Sequence, residues 1–384
     1  MTVTVPKGFR AAGIAAGIKA SGGSDLALVV NDGPDATAAA VFTANRVKAA
    51  PVLWSQQVLK AGVVRAVVLN SGGANACTGP KGFQDTHMTA ERVAATLGGM
   101  GAGDVVVCST GLIGERLPMD KVLPGIAKLA RNLAKDGGQA AAEAIMTTDT
   151  KPKTVTVTGD GYTVGGMAKG AGMLAPSLAT MLVVLTTDAV VGAQDLDEAL
   201  RAATAVTFDR LDSDGCMSTN DTVVLMASGA SGIQPSVEEL TVAVTSACAD
   251  LAAQLLSDAE GSTKDISIEV QGAADEEDAV LVGRAVARNN LLKCALYGND
   301  PNWGRVLAAI GTTDALFDPD QLDVAMNGVW ICKQGAAAED RSAVDLSGRK
   351  IHITVNLNYG DATATVLTND LSVAYVHENS AYSS

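Results

Sequence analysis

Apolar and polar positions along this chain fall into short blocks whose spacing switches between the period of a strand and that of a helix. Residues 26–30 and 40–43 read as strands, parted by Asn31, Asp32, Gly33 and Pro34, residue types that favour a turn. A short helix is predicted over 52–60. A strand over 64–69 then runs into Asn70-Ser71-Gly72-Gly73-Ala74-Asn75-Ala76. Helical spacing follows over 88–97, and a strand over 104–108 ends in Ser109-Thr110-Gly111-Leu112-Ile113-Gly114. Helices over 119–134 and 139–145 precede Met146-Thr147-Thr148-Asp149-Thr150. A strand over 154–158 and a hairpin at Gly159-Asp160-Gly161-Tyr162 then deliver the chain to its centre.

Beyond the centre the alternation resumes, with strands over 181–187, 223–226, 266–270 and 292–297 and helices over 196–208, 237–258 and 278–290. Short strands over 323–326, 329–332, 351–357 and 362–367 complete the pattern, and only 334–340 reads as loose. Alternating strands and helices make the class α/β. Several strands are apolar almost throughout, so both faces of their sheets are expected to be covered. The late strands come in runs without crossover helices, which favours layered sheets between helices over one doubly wound sheet.

Composition narrows the function. The chain has 384 residues, 47% of them hydrophobic but only 3% aromatic, so a large aliphatic core is expected. The apolar runs at 64–69 and 182–185 are of strand length, short of the ~18 residues of a membrane-spanning helix. The first residues lack the apolar core of a signal peptide, and a cytoplasmic location is expected. A net charge of −14 without a basic block argues against nucleic acid as partner. Six cysteines without a C-x-x-C pair are expected to be free, buried thiols, with no zinc site. His87, His352 and His377 are isolated and announce no catalytic or metal pair.

Two loops follow apolar strands and carry small residues, amides and hydroxyls: 70–76 and 109–114. Such loops let backbone approach a ligand closely, and Thr110 with neighbouring N–H groups is placed to meet a developing oxyanion. A plain turn explains either loop equally well. The run Asp209-Arg210-Leu211-Asp212-Ser213-Asp214-Gly215 looks like a calcium loop, but Arg210 falls at the first ligand position and Asp221 where glutamate belongs.

At the centre stands Ala168-Lys169-Gly170-Ala171-Gly172-Met173-Leu174-Ala175-Pro176-Ser177-Leu178-Ala179-Thr180-Met181-Leu182. Gly170 to Ala175 fits a dinucleotide G-x-G-x-x-A pattern, with Asp188 further on. Pro176 and the strand at Met181 leave no room for the helix that pattern must open. The other chemical reading makes Thr180 a nucleophile. Its hydroxyl would attack the Ala179 carbonyl and free its own α-amine, whose reference pKa near ~7.7–8.0 suits a base. A structural turn remains the alternative on chemistry alone.

The chain resembles the ornithine acetyltransferase (glutamate N-acetyltransferase) family. The resemblance is carried by Lys169-Gly170-x-Gly172-Met173-x-x-Pro176-x-x-Ala179-Thr180-Met181-Leu182, by Asn70-Ser71-Gly72, Ser109-Thr110-Gly111 and Met146-Thr147-Thr148-Asp149. Glu260-Gly261-x-Thr263-Lys264, Asp300-Pro301-Asn302-Trp303-Gly304-Arg305 and Glu378-Asn379-Ser380-Ala381-Tyr382 complete it, in the family's order. The resemblance implies an Ntn-hydrolase-like layered αββα sandwich, autoprocessed between Ala179 and Thr180 into an α chain (1–179) and a β chain (180–384). It also implies a heterotetramer of the two chains and a ping-pong transfer of acetyl from N-acetylornithine to glutamate through acetyl-Thr180, in arginine biosynthesis. No cofactor or metal is implied. Thr180 would be the nucleophile, Thr110 and Gly111 the oxyanion site, and Thr147, Lys169, Thr180, Glu260, Asn379 and Ser384 the substrate contacts. Which substrate end Lys169 and Glu260 meet stays open, as does acetyl-CoA as a further donor. A self-processing aminopeptidase, a nicotinamide enzyme and a non-catalytic binding protein are the rival readings.

Overall fold

The computed structural model describes residues 2–174 and 181–381. In chain order the first part holds β1 (Phe9–Ile14), β2 (Leu26–Asn31), β3 (Thr37–Phe42), α1 (Ala50–Val58), β4 (Ala66–Ser71), α2 (Gly79–Leu97) and β5 (Val105–Thr110). Then come α3 (Met119–Arg131), α4 (Gly138–Ala144), β6 (Lys153–Thr158), β7 (Thr163–Lys169), β8 (Leu182–Thr187), α5 (Ala193–Val206), β9 (Thr222–Ala227) and α6 (Val237–Ser257). The last part holds β10 (Asp265–Ala273), α7 (Glu276–Ala287), α8 (Asn290–Tyr297), α9 (Trp303–Ile310), β11 (Asp323–Met326), β12 (Val329–Lys333), β13 (Ala336–Ala337), β14 (Lys350–Asn356), β15 (Ala362–Asn369) and α10 (Val373–Ala381).

Three sheets result, ordered β1-β2-β4-β5, β3-β9-β8-β7-β6 and β13-β12-β11-β14-β10-β15. The first two lie face to face. Val29, Val67, Leu69 and Val106 of one sheet share an aliphatic cluster with Leu182, Val184, Val224 and Met226 of the other. Alternate residues of the first sheet (Leu28, Val68, Val107) pack outward on α2 and α3 through Val93, Ile126 and Leu129. Those of the second (Val183, Leu185, Val223, Leu225) pack on α5 and α6 through Leu200, Leu251 and Leu255. This is the α-β-β-α layering expected above. It explains why β2, β4, β5, β8 and β9 are buried at every position.

The third sheet obeys a different rule. β10 alternates buried Ile266, Ile268 and Val270 with half-exposed Ser267, Glu269 and Gln271, because α7, α8 and α9 cover one face only. The helix α6 is long and apolar enough by composition to cross a membrane, yet its Leu240, Val244, Leu251 and Leu255 lie in the cluster against the second sheet.

Three expectations are corrected. Residues 292–297 form helix α8, not a strand: a six-residue run, apolar except for Lys293, fits both, and Asn289 decides by accepting the Leu292 N–H at 2.9 Å as an N-cap. The helices α9 and α10 have no counterpart in the pattern read above, nor have strands β1 and β7. Of the six free cysteines only Cys108, Cys248 and Cys332 are buried; Cys77, Cys216 and Cys294 are exposed.

One buried cation ties the third sheet to the layered core. Lys293 of α8 is 4% exposed and donates to the carbonyl of Ser213 at 2.6 Å, to Thr368 Oγ1 at 2.9 Å and to the carbonyl of Asn369. Burial pushes its ammonium down to about 8, against the opposing charges of Asp214, Asp212 and Asp370. Between that value and the ordinary 10.5 the unfolded chain binds a proton that the folded chain has released, so stability from this site rises with pH there. Urea unfolding of wild type and Lys293→Met should therefore show wild type gaining on the variant from pH 8 to 10. A difference independent of pH would show that Lys293 keeps its ordinary proton affinity.

Candidate functional site

Two parallel strand pairs meet end to end between the facing sheets. The β4/β5 ladder finishes at Ser71 opposite Thr110, and the β8/β9 ladder begins at Leu182 opposite Thr222. The Asn220 amide, just before β9, donates to the carbonyl of Ser109 and joins the two pairs. Lys169 closes β7 opposite Leu182, which brings its side chain to the same junction. Its Nζ lies 3.2 Å from Thr110 Oγ1, and both residues are buried. An ammonium only donates, so the Thr110 oxygen accepts and the hydroxyl hydrogen is left for another acceptor.

The loops behind Thr110 are fitted backbone to backbone. Gly72 and Gly73 each donate their N–H to the Thr110 carbonyl at 2.9 Å. Ser109 Oγ donates to Asn70 Oδ1 at 2.6 Å, and Asn70 Nδ2 donates to the Gly73 carbonyl at 2.9 Å. Gly111 has a φ of +127°, and a Cβ there would stand 2.5 Å from Gly73 N and 2.6 Å from the Gly72 carbonyl carbon. The position admits glycine alone.

A buried charged group lies beside this junction. Asp149 accepts Lys153 Nζ at 2.5 Å, the Gly170 N–H at 2.7 Å and the Thr147 N–H at 3.0 Å. Lys153, fully buried, also donates to Asp258 Oδ2 at 2.6 Å. Burial disfavours the Asp149 carboxylate, but the charges of Lys169 and Lys153 and the Gly170 N–H outweigh it and hold the group below its ordinary value. Lys169 moves the other way. Burial pulls it below the usual lysine range, Asp149 opposes that pull, Lys153 adds to it, and Asp221 and Glu260 oppose it more weakly.

Glu260 forms the far wall. Its N–H bonds the Ala171 carbonyl at 2.9 Å, and its carboxylate accepts Thr148 Oγ1 at 2.7 Å and Asn379 Nδ2 at 3.0 Å. A Cβ on Gly172 would come within 2.6 Å of that carboxylate, so the glycine is what lets Glu260 sit there. Glu260 lines both a cavity of about 390 Å³, with Thr148, Thr150, Asp258 and Glu378, and a small polar one with Asp214, Lys293 and Tyr375.

Thr110, Gly111, Thr147, Lys169, Glu260 and Asn379 are thus brought into one connected region. Ala179, Thr180 and Ser384 lie outside the described residues. Sequence reading gave no role to Thr148, Lys153, Asp221 or Asp258. Lys153 did leave a signal: by the two-residue period it shares a strand face with Val155 and Val157, an odd place for a lysine. Asp221, fully buried, accepts the Met181 N–H at 3.0 Å, and burial pushes its carboxyl well above the carboxylate range. The run at 209–215 is spent on structure, Asp212 pairing with Arg288 and Asp214 accepting the Met173 N–H. His87 stacks near Trp54, and His352 sits between Ser267 and Glu269 on the third sheet.

Comparison with known proteins gives one consistent set. The model of the ArgJ family matches residues 10–384. The arginine biosynthesis bifunctional protein ArgJ of Streptomyces coelicolor is 68% identical over 384 residues, covering 100% of both chains. Its namesake from Thermobifida fusca is 65% identical over 383 residues, again covering 100% of both. A crystal structure of ornithine acetyltransferase complexed with ornithine, from Mycobacterium tuberculosis, is 66% identical over 46% of this chain and 96% of its own, with a TM-score of 0.46.

The fit at Gly111 makes a sharp expectation. Gly111→Ala should lose about 1–3 kcal/mol or more of stability in urea unfolding, through strain at positive φ and collision with backbone. Gly103→Ala, at a turn with nothing within 4 Å of the added carbon, should change it by less than about 0.5 kcal/mol. Equal stabilities for the two variants would contradict the close approach described.

Proposed function

The chain belongs to the ArgJ family, and from that premise we propose that it transfers acetyl from N-acetylornithine to glutamate in arginine biosynthesis, with acetyl-CoA as a second donor in the bifunctional members' manner. The observation that carries the reading is the buried meeting of Lys169 with Thr110 at the threshold of β8, walled by Glu260 and Asn379. Anion-stabilising, cationic and anionic groups there surround the place where the chain reaches Met181.

In this reading Thr180 Oγ attacks the Ala179 carbonyl carbon, the acyl group passes from nitrogen to oxygen, and water hydrolyses the ester. Ala179 is left with a carboxylate and Thr180 with a free α-amine. That amine then takes the Thr180 hydroxyl proton as the oxygen attacks the acetyl carbonyl of N-acetylornithine. The Thr110 hydroxyl and the Gly111 N–H stabilise the oxyanion, ornithine departs with the proton on its amine, and an acetyl ester remains on Thr180. The deprotonated amine of glutamate attacks that ester, its surplus proton passes by way of the α-amine to the departing Thr180 Oγ, and N-acetylglutamate leaves with the hydroxyl restored. One site must accept two amino acids in turn, which suits Lys169 for a carboxylate, Glu260 for an ammonium, and Thr147, Asn379 and Ser384 for orientation. The 1–179 and 180–384 chains stay associated, as a cytoplasmic heterotetramer.

Intact-mass measurement should give two chains divided between Ala179 and Thr180, and Thr180→Ala should give one chain without acetyl transfer. A single full-length wild-type chain, active or not, would overturn self-cleavage. With N-acetylornithine as donor, adding glutamate should divert acetyl to N-acetylglutamate; acetate released equally with and without glutamate would make the enzyme a hydrolase. Thr110→Ala should slow acylation by ~10²–10³, the loss expected for one oxyanion donor, and an unchanged single-turnover rate would remove Thr110 from the mechanism.

A further inference from the structure

The charged group beneath the site has no part in the chemistry just described, yet it touches three of the segments that supply it. Asp149 accepts the N–H of Thr147 and the N–H of Gly170, the residue after Lys169. Lys153 spans Asp149 and Asp258. Asp258 in turn takes the Thr150 N–H at 3.0 Å and the Thr150 hydroxyl, and lies two residues before Glu260. The side chains of Lys153 and Asp149 are wholly buried, and that of Asp258 is 5% exposed.

We propose that Asp149 is a positioning residue for acetyl transfer: clamped by Lys153, its carboxylate fixes the backbone at Thr147 and Gly170 and serves as the counter-charge facing the Lys169 ammonium. The inference rests on the reading of Lys169 as a substrate contact. The charged groups acting on Lys169 are Asp149 and Lys153, four residues apart, with Asp221 and Glu260 from two other segments, and Asp149 is the strongest of them. Asp149 and Lys153 act on it with opposite sign, so removing each should shift Lys169 in opposite directions.

Sign follows from charge. Removing the Asp149 carboxylate takes away the largest opposing charge and leaves only Asp221 and Glu260, weaker, against burial and Lys153, so Lys169 is neutralised at lower pH. Removing the Lys153 charge retains the proton to higher pH. The Thr180 α-amine must be deprotonated to take the hydroxyl proton and so shapes the acid limb of the kcat/KM profile for N-acetylornithine. Lys169, which must stay charged to hold a carboxylate, shapes the alkaline limb.

The test is the pH dependence of kcat/KM for N-acetylornithine, with glutamate as acceptor, on purified wild type, Asp149→Asn and Lys153→Gln. Asp149→Asn should move the alkaline midpoint down by about 1 pH unit or more, as expected on losing a nearby opposite charge; Lys153→Gln should move it up. An Asp149→Asn profile that is lower at every pH but keeps the wild-type midpoint would reduce Asp149 to a structural role and overturn the proposal. If Asp149→Asn does not accumulate as folded protein, Lys153→Gln decides alone, and an unmoved or lowered midpoint overturns it. Wild type without any acetyl transfer would instead sink the functional reading, a result separable from either of these.

Discussion

An ammonium group inside an aliphatic core must have a counter-charge, and that requirement shapes this molecule around its site. Lys153 and Lys169 are both buried, beside a core made mainly of valine, leucine, isoleucine and alanine. Leaving either uncompensated would be strongly destabilising, on the order of 3–5 kcal/mol for a buried pair that loses one partner. Asp149 answers both cations at once, and Asp258 completes the pairing of Lys153. Three distant segments, the turn after α4, the end of β7 and the end of α6, are thereby compelled to meet. Packing alone would not specify that meeting, since aliphatic side chains exchange neighbours with little penalty.

The layered core works by a complementary rule. Each strand of the two facing sheets presents alternate residues to the other sheet and to the outer helices, so nearly every position must be apolar. Polar residues are admitted at strand ends. Asn70, Ser71, Ser109 and Thr110 at the ends of β4 and β5, Lys169 at the end of β7, and Asn220 and Asp221 before β9 are all buried and collect at one junction. Expelling polarity from strand middles concentrates it where ladders meet. The site thus arises where the covering of the sheets runs out.

How much of this was legible follows from what each signal depends on. The apolar run 66–69 reads as a buried strand, since two covered faces favour apolar residues at every position, and β4 does occupy it, beginning and ending two residues later than read. The run at 292–297 was misread because its length suits both structures and the deciding feature was a single cap at Asn289. Thr110, Lys169 and Glu260 were found through motifs carried by resemblance, and the fold brings them together. Lys153 is marked as odd by its place on an apolar strand face, but its pairing with Asp258 was not visible, because the two are 105 positions apart and only folding makes them neighbours.

The order of strands in the second sheet bears on how such an enzyme comes into being. β3, β6 and β7 precede residue 179, whereas β8 and β9 follow residue 180, and the sheet runs β3-β9-β8-β7-β6. The two segments are interleaved like the fingers of clasped hands, with β9 against β3 and β8 against β7. Neither segment holds that sheet by itself, so severing the chain divides one fold without creating two. Under the proposed cut between 179 and 180, maturation would have a fixed direction: the polypeptide would be completed and folded before it is opened, because the strands on either side of the cut pair with each other.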